Sequence, residues 1–387
     1  MYKHNNVTIL LKCVTFIFLL IPFISHIYGA IFPALYNYKI GYISSAIILF
    51  IFLFAMYERK IVYDKNVIYF IPFLLVALAD SIYSNNFYFY KYFAYVVIYF
   101  LFLQKFFLQK FIFKIYVNFL VVSLLILITI FLVTLNSDFD YFSYFNIANL
   151  SYLSPNAPIN NWSEDYRGLI FYFLVFVPGD VTGIFDFPRL YGFSREPGMF
   201  VTFLVPGFWM ACYLKMKRQA LILMLGILLA SSFAGFFVLL LGLILILFPS
   251  FLSKRELVIL FTALLILIVL RHNIHFFLNY SRVSDYVTIM DKILINYFNS
   301  FTNFSISNML FILEKLSYLI IIYHFYTKVK IINSRIVLIF LISFLIMVNK
   351  ANELISPLFL FYLLFIDYAY KKGLMLGNSK FKSNFND

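Results

Sequence analysis

The chain has 387 residues, of which 64% are hydrophobic and 22% aromatic but only 12% charged, and its mean hydropathy is +0.93. Soluble domains carry about 25% charged residues and under half apolar ones, so this chain cannot hide its Phe, Ile, Leu and Tyr in one core and still cover itself with charge. A soluble globule, a disordered chain and a disulfide scaffold are excluded, and the composition implies an all-α, polytopic membrane bundle whose partner is the lipid bilayer.

A helix needs about 20 mainly apolar residues to cross about 30 Å of hydrocarbon. That ruler predicts about twelve spans: in chain order 7–28, 40–57, 66–83, 87–103, 115–135, 198–214, 219–231, 233–249, 256–270, 309–326, 335–348 and 354–370. The first reads as an uncleaved anchor, because a cut after Ala30 would leave bulky Tyr28 where a small residue is required. The run 219–251 is about 50 Å long as a helix, too long for one crossing and short for two. Two short helices broken at Ser231-Ser232 are the better reading, because basic residues then fall into place.

The formal net charge is +13; its distribution reports orientation, and no nucleic acid is implied. With the N-terminus inside, the inner segments hold Lys3, Arg59, Lys60, Lys65, Lys105, Lys110, Lys114, Lys215, Lys217, Arg218, Lys254, Arg255, Lys328, Lys330, Arg335, Lys371, Lys372, Lys380 and Lys382. These are 19 of the 30 Lys and Arg, whereas the longer outer segments hold eight. This asymmetry is the positive-inside pattern and predicts that both termini are cytoplasmic. Cys13 and Cys212 lie in apolar runs and read as small core residues. With no Cys/His metal spacing and no Gly-rich nucleotide loop, neither a metal nor a cofactor is implied.

Within this single membrane domain, two connections are long, 136–197 and 271–308, both on the outer face. Long loops in an otherwise economical membrane protein are where function concentrates. The first contains GLIFYFLVFV (168–177); ten apolar residues cannot span, so a short interfacial helix or re-entrant segment is expected. Five of the nine Arg (Arg167, Arg189, Arg195, Arg271, Arg282) lie in these two loops, while Lys dominates inside. Arginine offers a planar fork that matches phosphate oxygens, so its retention outside suggests an anionic ligand. Salt bridges to Asp180, Asp186, Glu196 and Asp285 are the alternative for any single arginine.

The densest constellation is PRLYGFSREPGMF (188–200). Arg189 and Arg195 flank Gly192, which permits a turn or a close backbone approach. Pro197 suits the first turn of a helix. Glu196 then sits at the positive helix end, as a fixed carboxylate or a base; the alternative is an ordinary helix cap. In the second loop, Arg282 and Asp285 of SRVSD pair a cation for phosphate with a carboxylate for proton removal, or form a structural ion pair. His272 and His275 are interfacial residues or bases. Asn308 and Glu314, at the top of the tenth span, are polar groups expected to face the bundle interior or a cavity.

Taken in order, these segments resemble those of the Wzy-type O-antigen (polysaccharide repeat-unit) polymerases, within the superfamily shared with O-antigen ligases. The resemblance is carried by RLYGFSREPGMF, which is similar to the family's Arg-x-x-Gly-aromatic-x-x-Glu/Asn-Pro segment, and by LILMLGILLASSFAGFFVLLLG, like its paired helices broken at a Ser-rich point. SRVSDYVTIM in the second loop and SISNMLFILEKLSYL at the start of a late span follow. Two positions depart from the pattern: Ser232 stands where an Arg is often found at the break, and Ser307 where a His often precedes the late Asn. The resemblance implies a metal-independent, inverting glycosyltransferase joining oligosaccharide units carried on undecaprenyl pyrophosphate, with a chain-length regulator protein as a further partner. By that resemblance Arg189, Arg195 and Arg282 hold pyrophosphate, Glu196 or Asp285 orients or deprotonates the acceptor, and Gly192, Pro197, Asn308 and Glu314 support the site. An O-antigen ligase, and a lipid-linked oligosaccharide flippase of a different class, are the alternatives.

Overall fold

A computed structural model of the protein describes residues 66–85, 106–135, 147–149, 167–171, 174–177, 189–192, 197–247, 306–332, 334–350 and 357–383, with scattered positions between 89 and 99. Among them are eight helices: α1 (Val67–Tyr83), α2 (Phe106–Leu135), α3 (Pro197–Tyr213), α4 (Lys217–Leu229), α5 (Phe233–Leu247), α6 (Ile306–Ile332), α7 (Arg335–Lys350) and α8 (Pro357–Ser383). Each coincides with one of the apolar runs expected as a span. The expected spans 7–28, 40–57 and 256–270, and most of 87–103, lie outside the described residues. The segment Lys110–Val133 of α2, 24 residues, is long and apolar enough to cross a membrane.

Both faces of these helices are apolar. On α1, Phe70, Phe73 and Ala77 are buried at helical spacing while Ile71, Leu75, Leu78 and Ile82 are exposed. On α6, Ile321, Phe325 and Val329 are buried, whereas Met309, Leu313, Leu316, Ile320 and Tyr323 form an exposed stripe. The usual division into an apolar inner and a polar outer face is absent, which is why periodicity alone marked the runs but not their buried sides.

Side-chain contacts give the sense of each helix. Tyr69 stacks on His324 with ring centroids 3.7 Å apart, and Phe73 lies 5.3 Å from Tyr318, so α1 and α6 are antiparallel. Phe113 meets Tyr368 at 5.5 Å while Tyr116 meets Phe361 at 4.8 Å, so α2 and α8 are antiparallel. Phe340 packs on Phe365 (4.7 Å) and Phe344 on Phe359 (5.1 Å), which opposes α7 to α8. A tight turn at Leu214–Met216 reverses α3 into α4, and the chain reverses again at Ser231-Ser232. There Ser231 takes a left-handed backbone (φ 48°). A Cβ on Gly235 would overlap Val201 and one on Gly242 would overlap Trp209, so α5 runs parallel to α3, with their N-termini level. The run 219–251 thus holds two short helices, of 13 and 15 residues.

Pro206 lies inside α3. It has no N–H to offer the carbonyl of Thr202, four residues back, and its ring crowds that turn. Two tyrosines from other helices donate to the carbonyls of this turn. Tyr362 donates to Thr202 O at 2.8 Å and Tyr116 to Phe203 O at 3.1 Å, with the two hydroxyls 3.0 Å apart. An unsatisfied carbonyl at this depth costs about 1–3 kcal/mol.

The departure from a purely helical fold is a four-stranded antiparallel sheet in the first long loop: β1 (Ile147–Asn149), β2 (Arg167–Phe171), β3 (Leu174–Val177) and β4 (Arg189–Gly192), in that spatial order. Of the stretch 168–177, expected as a short interfacial helix, the described residues 168–171 and 174–177 pair as the antiparallel strands β2 and β3, with Leu169 opposite Phe176 and Phe171 opposite Leu174. Its Ile, Phe, Tyr and Val favour a pleated surface, and pairing with β1 and β4 satisfies a backbone that ten residues of isolated helix would satisfy less well. The sheet packs on α2, α3 and α4 through β3 and β4, with Leu190 fully buried.

The bundle therefore has two distinct ends. One carries the sheet, the N-termini of α3, α5 and α6, and the Ser231-Ser232 turn. The other gathers Lys110, Lys114, Lys215, Lys217, Arg218, Lys328, Lys330, Arg335, Lys371 and Lys372.

Candidate functional site

At the sheet end, β4 delivers the chain from Arg189 to Gly192 and α3 begins five residues later at Pro197. Gly192 has φ +63°, a left-handed conformation, and a Cβ there would lie inside the ring of Phe200. Glycine is thus required twice, for the turn leaving the strand and for the aromatic ring seated on its backbone. Pro197 occupies the first helical position, where its missing N–H costs nothing.

The register of α5 on α3 extends the site. Since Gly235 faces Val201 and Gly242 faces Trp209, the same offset sets Ser231 level with Pro197. Ser231 and Ser232 are buried, and α4 packs against β4 just before this turn. Gly192, Pro197 and the serine break, far apart in sequence, are therefore brought to one level. Two parallel helices present their N-termini side by side there. Each N-terminus carries about half a positive charge and unsatisfied N–H donors, so the pair creates a field suited to an anion.

Arg189 opens β4 opposite Val177, and Arg167 opens β2 opposite Asn149, so both arginine positions lie at the same end of the sheet. Along β4 the backbone of Arg189 is about 10 Å from Gly192 at the usual strand rise. Arg189 and Gly192 thus stand at the two ends of one short strand. Arg195, Glu196, Arg282 and Asp285, and with them His272, His275 and Arg271, lie outside the described residues.

Asn308 is in the first turn of α6. Glu314 follows two turns on, where Tyr318 donates to Glu314 Oε1 at 2.7 Å and Ser317 Oγ to its carbonyl at 2.6 Å. Both residues are in the sheet-end half of α6, a helix that packs chiefly on α1 and α8, whereas β4 packs on α2, α3 and α4. Glu314 thus shares an end of the bundle with the motif but belongs to a different helix group. Among the described residues no group of three or more His, Cys, Asp or Glu is placed to hold a metal.

A second polar constellation lies at the opposite end, where sequence reading saw only topology charges. Lys328, nearly buried, donates to Asp367 Oδ1 at 2.5 Å and to Asn66 Oδ1 at 2.9 Å. His324 Nε2 lies 2.7 Å from the same Asn66 oxygen, which fixes its proton on Nε2, and Lys371 approaches Asp367 Oδ2 at 3.1 Å. The signal available was Asp367 itself, an acid within the apolar run FYLLFIDYAY. Such a group needs a partner. The cluster ties α1, α6 and α8 together, with two lysines sharing one carboxylate.

No family model, curated protein or solved structure matches this chain significantly. The site must therefore be read from its own chemistry.

Proposed function

We propose that the chain is a polytopic membrane protein of the bacterial inner membrane, with about twelve spans, and that it acts as a polysaccharide repeat-unit polymerase at the outer face. The substrate is an oligosaccharide carried on undecaprenyl pyrophosphate. In the step proposed, a hydroxyl oxygen of the acceptor unit attacks the anomeric carbon of the donor, the bond from that carbon to pyrophosphate breaks, and the electron pair leaves with the lipid pyrophosphate. The configuration inverts. Glu196 or Asp285 takes the hydroxyl proton, and Arg189, Arg195 and Arg282 hold the departing charge. A donor aimed at developing charge in a water-poor pocket lowers a barrier by about 3 kcal/mol.

The observation that carries this reading is the pairing of the α3 and α5 N-termini at the level of Pro197 and Ser231, directly beside β4. Helix N-termini and Arg do for a diphosphate leaving group what a metal does elsewhere, so the proposed transfer is metal-independent. Two further features support the bilayer part. Exposed Leu, Ile and Phe line α1, α2 and α6, a surface suited to acyl chains. The helix senses gather the lysines at one end and the sheet at the other, which supports the orientation proposed from charge, lysine end inside and sheet outside.

One observation favours the flippase reading: α4 and α5 are half-length helices that reverse at a polar turn, a device transporters use at their substrate sites. A surface-polysaccharide gel from a strain lacking the protein separates the two. A polymerase mutant keeps single repeat units on the surface and loses the ladder, whereas loss of a flippase or ligase removes both. Arg189→Ala, Arg195→Ala and Arg282→Ala combined should abolish the ladder at normal protein levels; an intact ladder would overturn the assignment. Cysteines at 189–195 should react with an impermeant reagent added from outside.

A further inference from the structure

We infer that Lys110, Lys215 and Lys372 form a site for the phosphodiester headgroup of a single anionic phospholipid at the lysine end of the bundle. The inference uses the bilayer half of the reading above and is independent of glycosyl transfer. Three aromatic rings bring the lysines together. Tyr368 lies 5.5 Å from Phe113 and 6.4 Å from Tyr213 between ring centroids, so the start of α2, the end of α3 and the late part of α8 converge. Lys110 precedes Phe113 by one turn, Lys372 follows Tyr368 by one turn, and Lys215 is two residues past Tyr213. Lys372 Nζ sits over the Tyr213 ring at 5.3 Å. Burial, and then the charges of Lys110 and Lys215, push the Lys372 pKa down. Lys110 and Lys215 therefore each oppose the charge on Lys372, a cost that an anion held beside them removes.

The backbone at Lys215 points the same way. Met216 N–H bonds Ala211 O at 2.9 Å and Lys215 N–H bonds Cys212 O at 3.2 Å. This pair of bonds closes a helix on a left-handed residue, a position that glycine normally fills. Here the residue is Lys215, at φ +61°. A long cationic side chain is held where a residue with no side chain fits best. Two other cations at this end, Lys328 and Lys371, share Asp367. Among the described residues no carboxylate pairs with Lys110, Lys215 or Lys372. Phe111 and Leu374, on the same turns of α2 and α8 as Lys110 and Lys372, are exposed, so apolar surface for an acyl chain occurs at the level of the cations. That favours a lipid phosphate over a soluble one, as do basic pockets between helices on the cytoplasmic side in general.

The test uses the full chain in bilayer nanodiscs. Flotation with zwitterionic vesicles checks the membrane reading separately. Native mass spectrometry of nanodiscs containing phosphatidylglycerol should retain one such lipid per chain. Each of Lys110→Gln, Lys215→Gln and Lys372→Gln should weaken retention by about fivefold, while Lys114→Gln and Lys217→Gln, on the same end, should not. Lys215→Gly should raise the unfolding temperature in lipid-free detergent and still lose the lipid, a pairing that mere misfolding cannot produce. Equal retention by the triple Gln variant, equal losses in the two control variants, or displacement by millimolar inorganic phosphate would each overturn the inference.

Discussion

Both ends of this bundle concentrate positive charge, but by different means. At the lysine end the charge is carried by flexible ammonium groups around a ring of aromatic side chains. At the sheet end it comes from the N-termini of α3 and α5 and from arginine positions on strands. Ammonium groups are point charges that set orientation and attract headgroups, whereas backbone N–H groups and guanidinium forks have direction. The difference teaches where chemistry belongs. A leaving group with defined oxygens calls for directional donors fixed by secondary structure, and at the sheet end the N-termini of α3 and α5 begin level with each other.

The largest effect expected on stability lies at the lysine end. Asp367→Ala removes the carboxylate from buried Lys328, and should cost about 3–5 kcal/mol, read as a lowered unfolding temperature in detergent. Lys328→Met with Asp367→Leu should recover most of that loss, because a buried pair replaced by apolar residues is nearly neutral. If the double variant is no better than the single one, the pair has a role beyond charge balance.

The sheet end should respond next, and in function more than in folding. Gly192→Ala must hold an L-residue in a left-handed conformation, worth about 1–2 kcal/mol, and must move the Phe200 ring. A double-mutant cycle with Phe200→Ala should show coupling, the second substitution making room for the first. The polysaccharide ladder should be lost in Gly192→Ala even where the protein accumulates. A comparable defect in ladder formation from Asp367→Ala at matched protein levels would erase the distinction between the ends.

The depth to which this architecture could be read from sequence differs between the same two ends. The eight helices were legible because each is a long uninterrupted apolar run, and the break at Ser231-Ser232 was legible because basic residues on either side demanded it. The sheet was not. GLIFYFLVFV has strand-forming residues, but β1 and β4, its partners, are separated from it by long polar stretches, and pairing across such distances leaves no local trace. Gly192 and Pro197 were legible as turn and helix start; their meeting with Ser231 depends on α5 running parallel to α3, which is a fact of packing. The Asn66–Lys328–Asp367 cluster was hidden for a related reason. In helices apolar on every side, no periodicity tells which polar residue faces inward.

Between the two ends, the tyrosine pair at Pro206 offers a smaller effect. Tyr362→Phe removes the donor to Thr202 O and should cost about 1–3 kcal/mol. In a Pro206→Ala background the helix regains an N–H four residues from that carbonyl, so the same substitution should cost much less. Equal costs in the two backgrounds would mean that the hydroxyls serve some purpose other than replacing the bond that proline removes.

The smallest effect expected is one of pH, and its sign follows from Lys372. Its pKa is lowered in the folded protein, by burial first and by Lys110 and Lys215 second, from an ordinary value of 10.5. Between the lowered value and 10.5 the unfolded chain binds more protons than the folded one, so stability rises with pH across that window. Below it both states are protonated and the repulsion persists at constant cost. Lys372→Gln should therefore flatten the alkaline rise in detergent and add slightly to stability at neutral pH. Saturating phosphatidylglycerol should flatten it as well, since an anion between the three ammonium groups raises the Lys372 pKa toward its ordinary value. A slope unchanged by the lipid but abolished by the substitution would mean that the lysines repel one another without sharing a headgroup.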